Sequence, residues 1–113
     1  MSELKTKFWV DALVRRADTG LASAYVIRRG DEDAGAVLVK VVLARDLAQL
    51  YVPARDGEGE RIWTLFRPVP AGEADIDAYC RRRIDDDPDI WLVEIEDRGG
   101  RHFLTEPVES AER

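Results

Sequence analysis

The sequence predicts an α+β domain: a mainly antiparallel sheet of five to six strands with two helices packed on one face, in the order α-β-β-β-β-α-β-(β). Three observations predict it. Two segments, 4–17 and 73–85, repeat apolar residues at three- and four-residue spacing, the period of a helix with one buried face. Between and after them, short segments alternate with a period of two or run apolar throughout, as strands do. Clusters of Gly, Pro and Asp separate those segments closely enough for tight turns.

In the first helix Leu4, Phe8 and Ala12 form one stripe, and Trp9, Leu13 and Ala17 form its neighbour. Asp18-Thr19-Gly20 stops it, with Gly20 suited to the left-handed position after a helix. Ala24–Ile27 is a strand, ended by the turn chemistry of residues 30–35. Residues 35–43 are nearly continuously apolar apart from Lys40, so this strand is central and covered on both faces. Ala48–Val52, closed by Pro53, and Arg61–Phe66 complete a meander. Pro68 to Gly72 breaks the pattern before the second helix, which buries Ile76, Tyr79, Cys80 and Ile84. Pro88 ends that helix. Trp91, Val93 and Ile95 then point inward from a strand whose Glu94 and Glu96 point out. The run Asp97-Arg98-Gly99-Gly100 turns the chain back into a last strand at His102–Leu104.

At 113 residues the chain is one domain, 1–104, followed by an acidic, flexible tail, 105–113. With 45% hydrophobic and 35% charged residues it is globular and not disordered. The net charge of −6 is uneven. Residues 1–56 hold nine basic and eight acidic groups, whereas 57–113 hold eight and fifteen. Such a chain repels phosphate polymers and anionic lipid, so neither nucleic acid nor a membrane is the expected partner. One cysteine, Cys80, leaves no internal disulfide, and no apolar run resembles a leader or a membrane span, so the expected compartment is the cytoplasm.

Each apparent site has a plainer reading. Counting from Asp85, the residues Asp87, Asp89 and Glu96 fall at calcium-loop positions three, five and twelve. Ile90 stands where that loop needs glycine, and an extended strand sets Glu96 about 20 Å from Asp89. Arg28 and Arg29, with Lys5 and Lys7, form a candidate anion pocket, against ordinary pairing with Asp31 and Asp33. His102 is the sole histidine and has no nucleophile near it in sequence; Cys80 lies on an apolar helix stripe, where a structural thiol is expected. Trp9, Trp63 and Trp91 read as core, with Trp63 the one on a strand whose two faces are both ambiguous. No cofactor or metal is expected, and no catalytic residue is assigned.

The opening helix FWVDALVRR, the segment VIRRGDEDAGAVLVKV, the WTLF strand and IDAYCRRRIDDDPDIWLVEIEDRGGRHFL together resemble a family of small alphaproteobacterial proteins, the domain of unknown function 1491. The resemblance implies one compact domain in such a bacterium and brings no activity, cofactor or site residue. Two functions are then expected in order. The first is a non-enzymatic binding or assembly domain acting through an apolar sheet face, as a homodimer or with another protein. The second is a small-metabolite binder or enzyme that recognises an anionic group through arginines. Arg28, Arg29, Trp63 and His102 are the candidate binding residues.

Overall fold

The computed structural model of the protein describes residues 4–109. Helix α1 (Thr6–Thr19) leads into strands β1 (Ser23–Arg28), β2 (Val37–Ala44), β3 (Leu47–Arg55) and β4 (Arg61–Leu65). Helix α2 (Glu73–Asp86), strand β5 (Trp91–Glu96) and the short strand β6 (Val108–Glu109) follow. The six strands form one sheet in the order β1-β5-β2-β3-β4-β6.

The fold is α+β, with two helices and six strands, but the sheet is mixed and not mainly antiparallel. β5 enters between β1 and β2, antiparallel to β1 and parallel to β2, with Val39 opposite Val93. The cause lies in β5 itself. Trp91, Val93 and Ile95 fill one face, and Leu92 is buried on the other, so the strand needs cover on both sides. Only an interior position gives that. Its polar Glu94 lies beside Lys40 and bonds it, at 3.5 Å. The last strand is also displaced from its expected place. Residues 102–104 are irregular, and the chain pairs with β4 only at Val108 and Glu109, in parallel.

The helices lie on opposite faces of the sheet and not on one. Val10 and Leu13 of α1 pack on Val37, Val39, Val41, Tyr51, Val93 and Ile95. Ile76 and Cys80 of α2 pack on Leu38, Ala48, Leu50 and Leu92. Because strand side chains alternate, the odd residues of β2 meet α1 and the even ones meet α2. Of the apolar surface that a one-sided arrangement leaves bare, α2 covers Ala36, Leu38, Val42 and Phe66, whereas Tyr25 and Ile27 of β1 stay exposed. Lys40, 6% exposed on that face, is reached by carboxylates of Asp77 (2.9 Å), Glu94 (3.5 Å) and Glu73 (3.6 Å). Burial alone would depress its ammonium; the Asp77 hydrogen bond and the three charges outweigh that and raise it.

Two local expectations also change. Gly20 is not left-handed (φ −80°); Leu21 takes that conformation (φ 68°) and is 92% exposed. Gly20 serves a different purpose, since a Cβ there would lie 2.6 Å from the outer edge of the Phe103 ring and force that ring to shift. Pro53 does not end its strand. The β2–β3 ladder stops at Val39–Tyr51, so from there β3 pairs with β4 alone and a missing N–H on the β2 side breaks no bond.

Candidate ligand groove

The start of α1 has no side-chain cap. Its free N–H groups instead find carbonyls in the 31–35 loop: Thr6 N–H donates to Asp33 (3.2 Å) and Lys7 N–H to Glu32 (2.9 Å). The Thr6 hydroxyl donates to Gly35 O at 2.8 Å. The same loop is tied to the end of α2, where Asp31 N–H meets Asp89 O at 3.0 Å, and Trp91 Nε1–H donates to Asp31 O at 2.7 Å. A Cβ on Gly30 or Gly35 would fall 2.0 or 2.2 Å from Asp89 O, so both contacts depend on glycine. This lacing fixes the loop as one wall of a groove at the β2 start.

The opposite wall is aromatic. Trp9 and Trp63 stack with ring centroids 5.6 Å apart. Their indole N–H groups converge on one carboxylate: Trp9 Nε1–H donates to Glu106 Oε2 at 3.1 Å, and Trp63 Nε1–H to Oε1 at 3.0 Å. Burial alone would raise the Glu106 carboxyl; the bonds from Trp63 and Trp9, with the Arg16 charge, hold it below its ordinary value. A charge-assisted pair of this kind joins α1, β4 and the chain beyond β5. Of the acidic stretch that begins at residue 105, residues 105–109 are described, with Pro107 to Glu109 running beside β4; 110–113 fall outside the described residues.

Between these walls is a groove of about 420 Å³, within the range of small-ligand sites. Val37, Pro53, Ile62 and Trp63 line it, together with three arginines: Arg55 from β3, Arg61 from β4 and Arg83 from α2. Asp33 and Glu106 are its acids. Asp33 has Lys5 at 3.6 Å, and Glu106 is held by the indoles. Arg55 donates to Gly59 O at 3.0 Å and Arg83 to the Tyr79 hydroxyl at 2.6 Å; each guanidinium carries five N–H donors. The lining is therefore cationic in a molecule of net charge −6.

The four residues expected from sequence do not share a pocket. Arg28 donates to Pro88 O at 2.8 Å, and its Nε is buried without a partner among the described residues. Arg29 pairs with Glu32 at 3.2 Å and lies over the Trp91 ring at 5.0 Å. His102 packs edge-on against Tyr51 at 5.0 Å, and its Nδ1 accepts Leu104 N–H at 2.9 Å; burial lowers its pKa. Trp63 alone stands in the groove, 5% exposed. Sequence reasoning missed Glu106, Arg55, Arg61 and Arg83 as a set. The one signal that pointed to Glu106 is chemical: a buried indole N–H needs an acceptor, and two of them need two oxygens.

Cys80 is buried on α2, and its thiol is pushed up to about 11, chiefly by burial, with Asp77 adding. Among the described residues no three His, Cys, Asp or Glu side chains are grouped to hold a metal ion. Nor is any helix among them long and apolar enough to cross a membrane.

Fold and groove together define a small three-layer domain, helix on mixed sheet on helix, with a cationic, tryptophan-walled groove at one end of the sheet. The chain belongs to the family described as "Protein of unknown function (DUF1491)", which matches residues 4–105. It is 56% identical to a DUF1491 family protein from Caulobacter crescentus CB15 in a crystal structure, with TM-score 0.88, covering 95% of this chain and 100% of that one. An NMR structure of a DUF1491 family protein from the same organism gives 55% identity, TM-score 0.85 and coverage of 96% and 99%. A solution structure of a protein from A. tumefaciens is 30% identical, with TM-score 0.73 and coverage of 93% and 97%. No curated protein matches the chain.

Proposed function

We propose that this protein is a non-enzymatic cytoplasmic binding domain, and that its groove takes a small ligand with an anionic group and an apolar body. The observation that carries this reading is the convergence of Arg55, Arg61 and Arg83, from three separate elements, on a groove also lined by Ile62 and Trp63. Arginine offers planar, bidentate donors that fit carboxylate and phosphate alike. Chemistry is a poorer fit, because the one thiol is buried with a raised pKa and the one imidazole uses Nδ1 on its own backbone. The cytoplasmic placement is supported by a single, buried, unpaired cysteine. A thermal-shift screen of phosphorylated metabolites and di- and tricarboxylates tests the reading. A ligand at a hundred times its Kd adds about 2.7 kcal/mol, a shift of roughly 10 °C or more for a domain of this size. Arg83→Ala or Arg55→Ala should cut that shift by about half or more; a flat screen argues against the groove as a ligand site.

A second reading, homodimer formation, is favoured by the β1 edge. Tyr25, Val26 and Ile27 are exposed there (48%, 39% and 54%) on a strand that pairs only with β5. The strand carries no Lys or Pro, and its charge and its register shift, at Arg28, are confined to its end. Two copies pairing β1 with β1 in antiparallel fashion bury these residues symmetrically. Light scattering should then give twice the monomer mass, and Ile27→Lys should return the monomer; a wild-type monomer at 100 µM, about the upper range for weak dimers, rejects it.

A further inference from the structure

β4 ends in a receptor geometry that the chain fills with its own residues. Along 106–109 burial alternates: Glu106 and Val108 are half-buried, whereas Pro107 and Glu109 are exposed. Glu106 gives both carboxylate oxygens to the two indole N–H groups. Pro107 accepts the Trp63 backbone N–H at 2.8 Å, and its own missing N–H breaks no ladder bond. Val108 lies opposite Trp63 in a parallel register and packs on the α1-side core. Backbone bonds supply affinity in such strand addition, and pockets for alternate side chains supply selectivity. Here the pockets read a carboxylate, then a residue that needs no N–H, then a β-branched side chain.

We infer that the outer edge of β4 with the Trp9–Trp63 indole pair is a strand-addition site for an extended acidic segment of a partner protein, Glu-Pro-Val or similar, and that residues 106–109 are its resident occupant. Two paired residues are a short hold, of the kind that opens well below the global unfolding free energy. The residues before it are anchored, Phe103 O by Arg16 and Arg101 by Asp97, so a partner segment competes only where it is locally abundant or adds contacts of its own. The site shares Trp9, Trp63 and Glu106 with the groove lining but does not use its arginines, so Arg83→Ala, which tests the anion reading, leaves this one to be tested on its own.

The test uses the full chain, labelled with ¹⁵N, and the peptide acetyl-Thr-Glu-Pro-Val-Glu-amide. Three tryptophans give three indole N–H peaks, and that of Trp91, bonded to Asp31 O, is the internal control. Glu106→Ala should move the Trp9 and Trp63 peaks and leave Trp91 in place. Millimolar peptide should then return both peaks toward their wild-type positions and saturate. A peptide with Gln for its first Glu should bind about tenfold more weakly, having lost the charge in both bonds. Glu106→Gln, which keeps the shape and one acceptor, serves the same titration if the alanine variant does not fold. Peaks that ignore the peptide in a folded variant, or that move together with Trp91, overturn the inference. A wild-type dimer whose indole peaks sit at the monomer positions would assign the site to a second copy and overturn the separate partner.

Discussion

The Trp9 and Trp63 indoles bring two donors to one carboxylate, and the pH behaviour of Glu106 follows from that pairing. Its carboxyl is held below its ordinary value of 4.5, so the native state favours the ionised form. The sign is that of any depressed acid: the contribution is fully present above about 4.5 and is lost as pH falls through the lower folded value. Asp97 acts likewise, taken down to about 2 by its side-chain and backbone bonds to Arg101. His102 adds a separate step. Its pKa is lowered by burial, so the unfolded chain takes up protons first and stability falls as pH drops below 6.5. Denaturant midpoints measured from pH 8 to 3 should fall in two stages, and His102→Gln should flatten the upper one. Trp63→Phe, which keeps a ring but removes the donor, should cost about 1–2 kcal/mol, and Glu106→Gln should erase most of the difference between the two backgrounds. Gly30→Ala forces its Cβ onto Asp89 O and should destabilise by about 3 kcal/mol or more.

At the scale of elements, the helices and five of the strands were legible because their periods are local. The three- and four-residue stripe of α2 shows that Ile76 and Cys80 are buried, but it does not say against which face of the sheet. That is settled by β5. Its alternation reads equally well at an edge, with Glu94 in water, or in the interior, with Glu94 on Lys40; only pairing across more than fifty residues distinguishes them. Once β5 enters beside β2, the even residues Leu38 and Leu92 need a cover, and α2 is the element available. Lys40, read as an interruption in an apolar strand, is the link between the layers. Lys40→Met should destabilise by about 1–3 kcal/mol, since it leaves Glu73, Asp77 and Glu94 crowded without their cation. Retention of stability in that variant, measured by urea unfolding, would mean the carboxylates are held apart by solvent alone. The strand at 108–109 was not legible, because two residues carry no period and the acidic composition around them reads as a tail.

For the whole molecule, composition gave the size and the acidic balance, but not where opposite charge would gather. The arginines of the groove are twenty-eight residues apart at their extremes, Arg55 and Arg83, and line one groove only because the end of β3, the start of β4 and the last turn of α2 come to the same corner. Arg28 and Arg29, adjacent in sequence and more conspicuous, turn instead to Pro88 O and Glu32. Membership of the DUF1491 family accounts for the fold at 56% identity to a solved relative and brings no ligand with it. The most direct measurement is an NMR titration of the wild-type protein at low salt with phosphate, citrate and a nucleoside phosphate. The account predicts amide shifts gathered at Val37, Ala54, Ile62 and Trp63, with affinity at least about tenfold lower in Arg83→Ala, the worth of one charge-assisted contact. Shifts scattered over Arg15, Arg45 and Arg98, or none at any concentration, would contradict it.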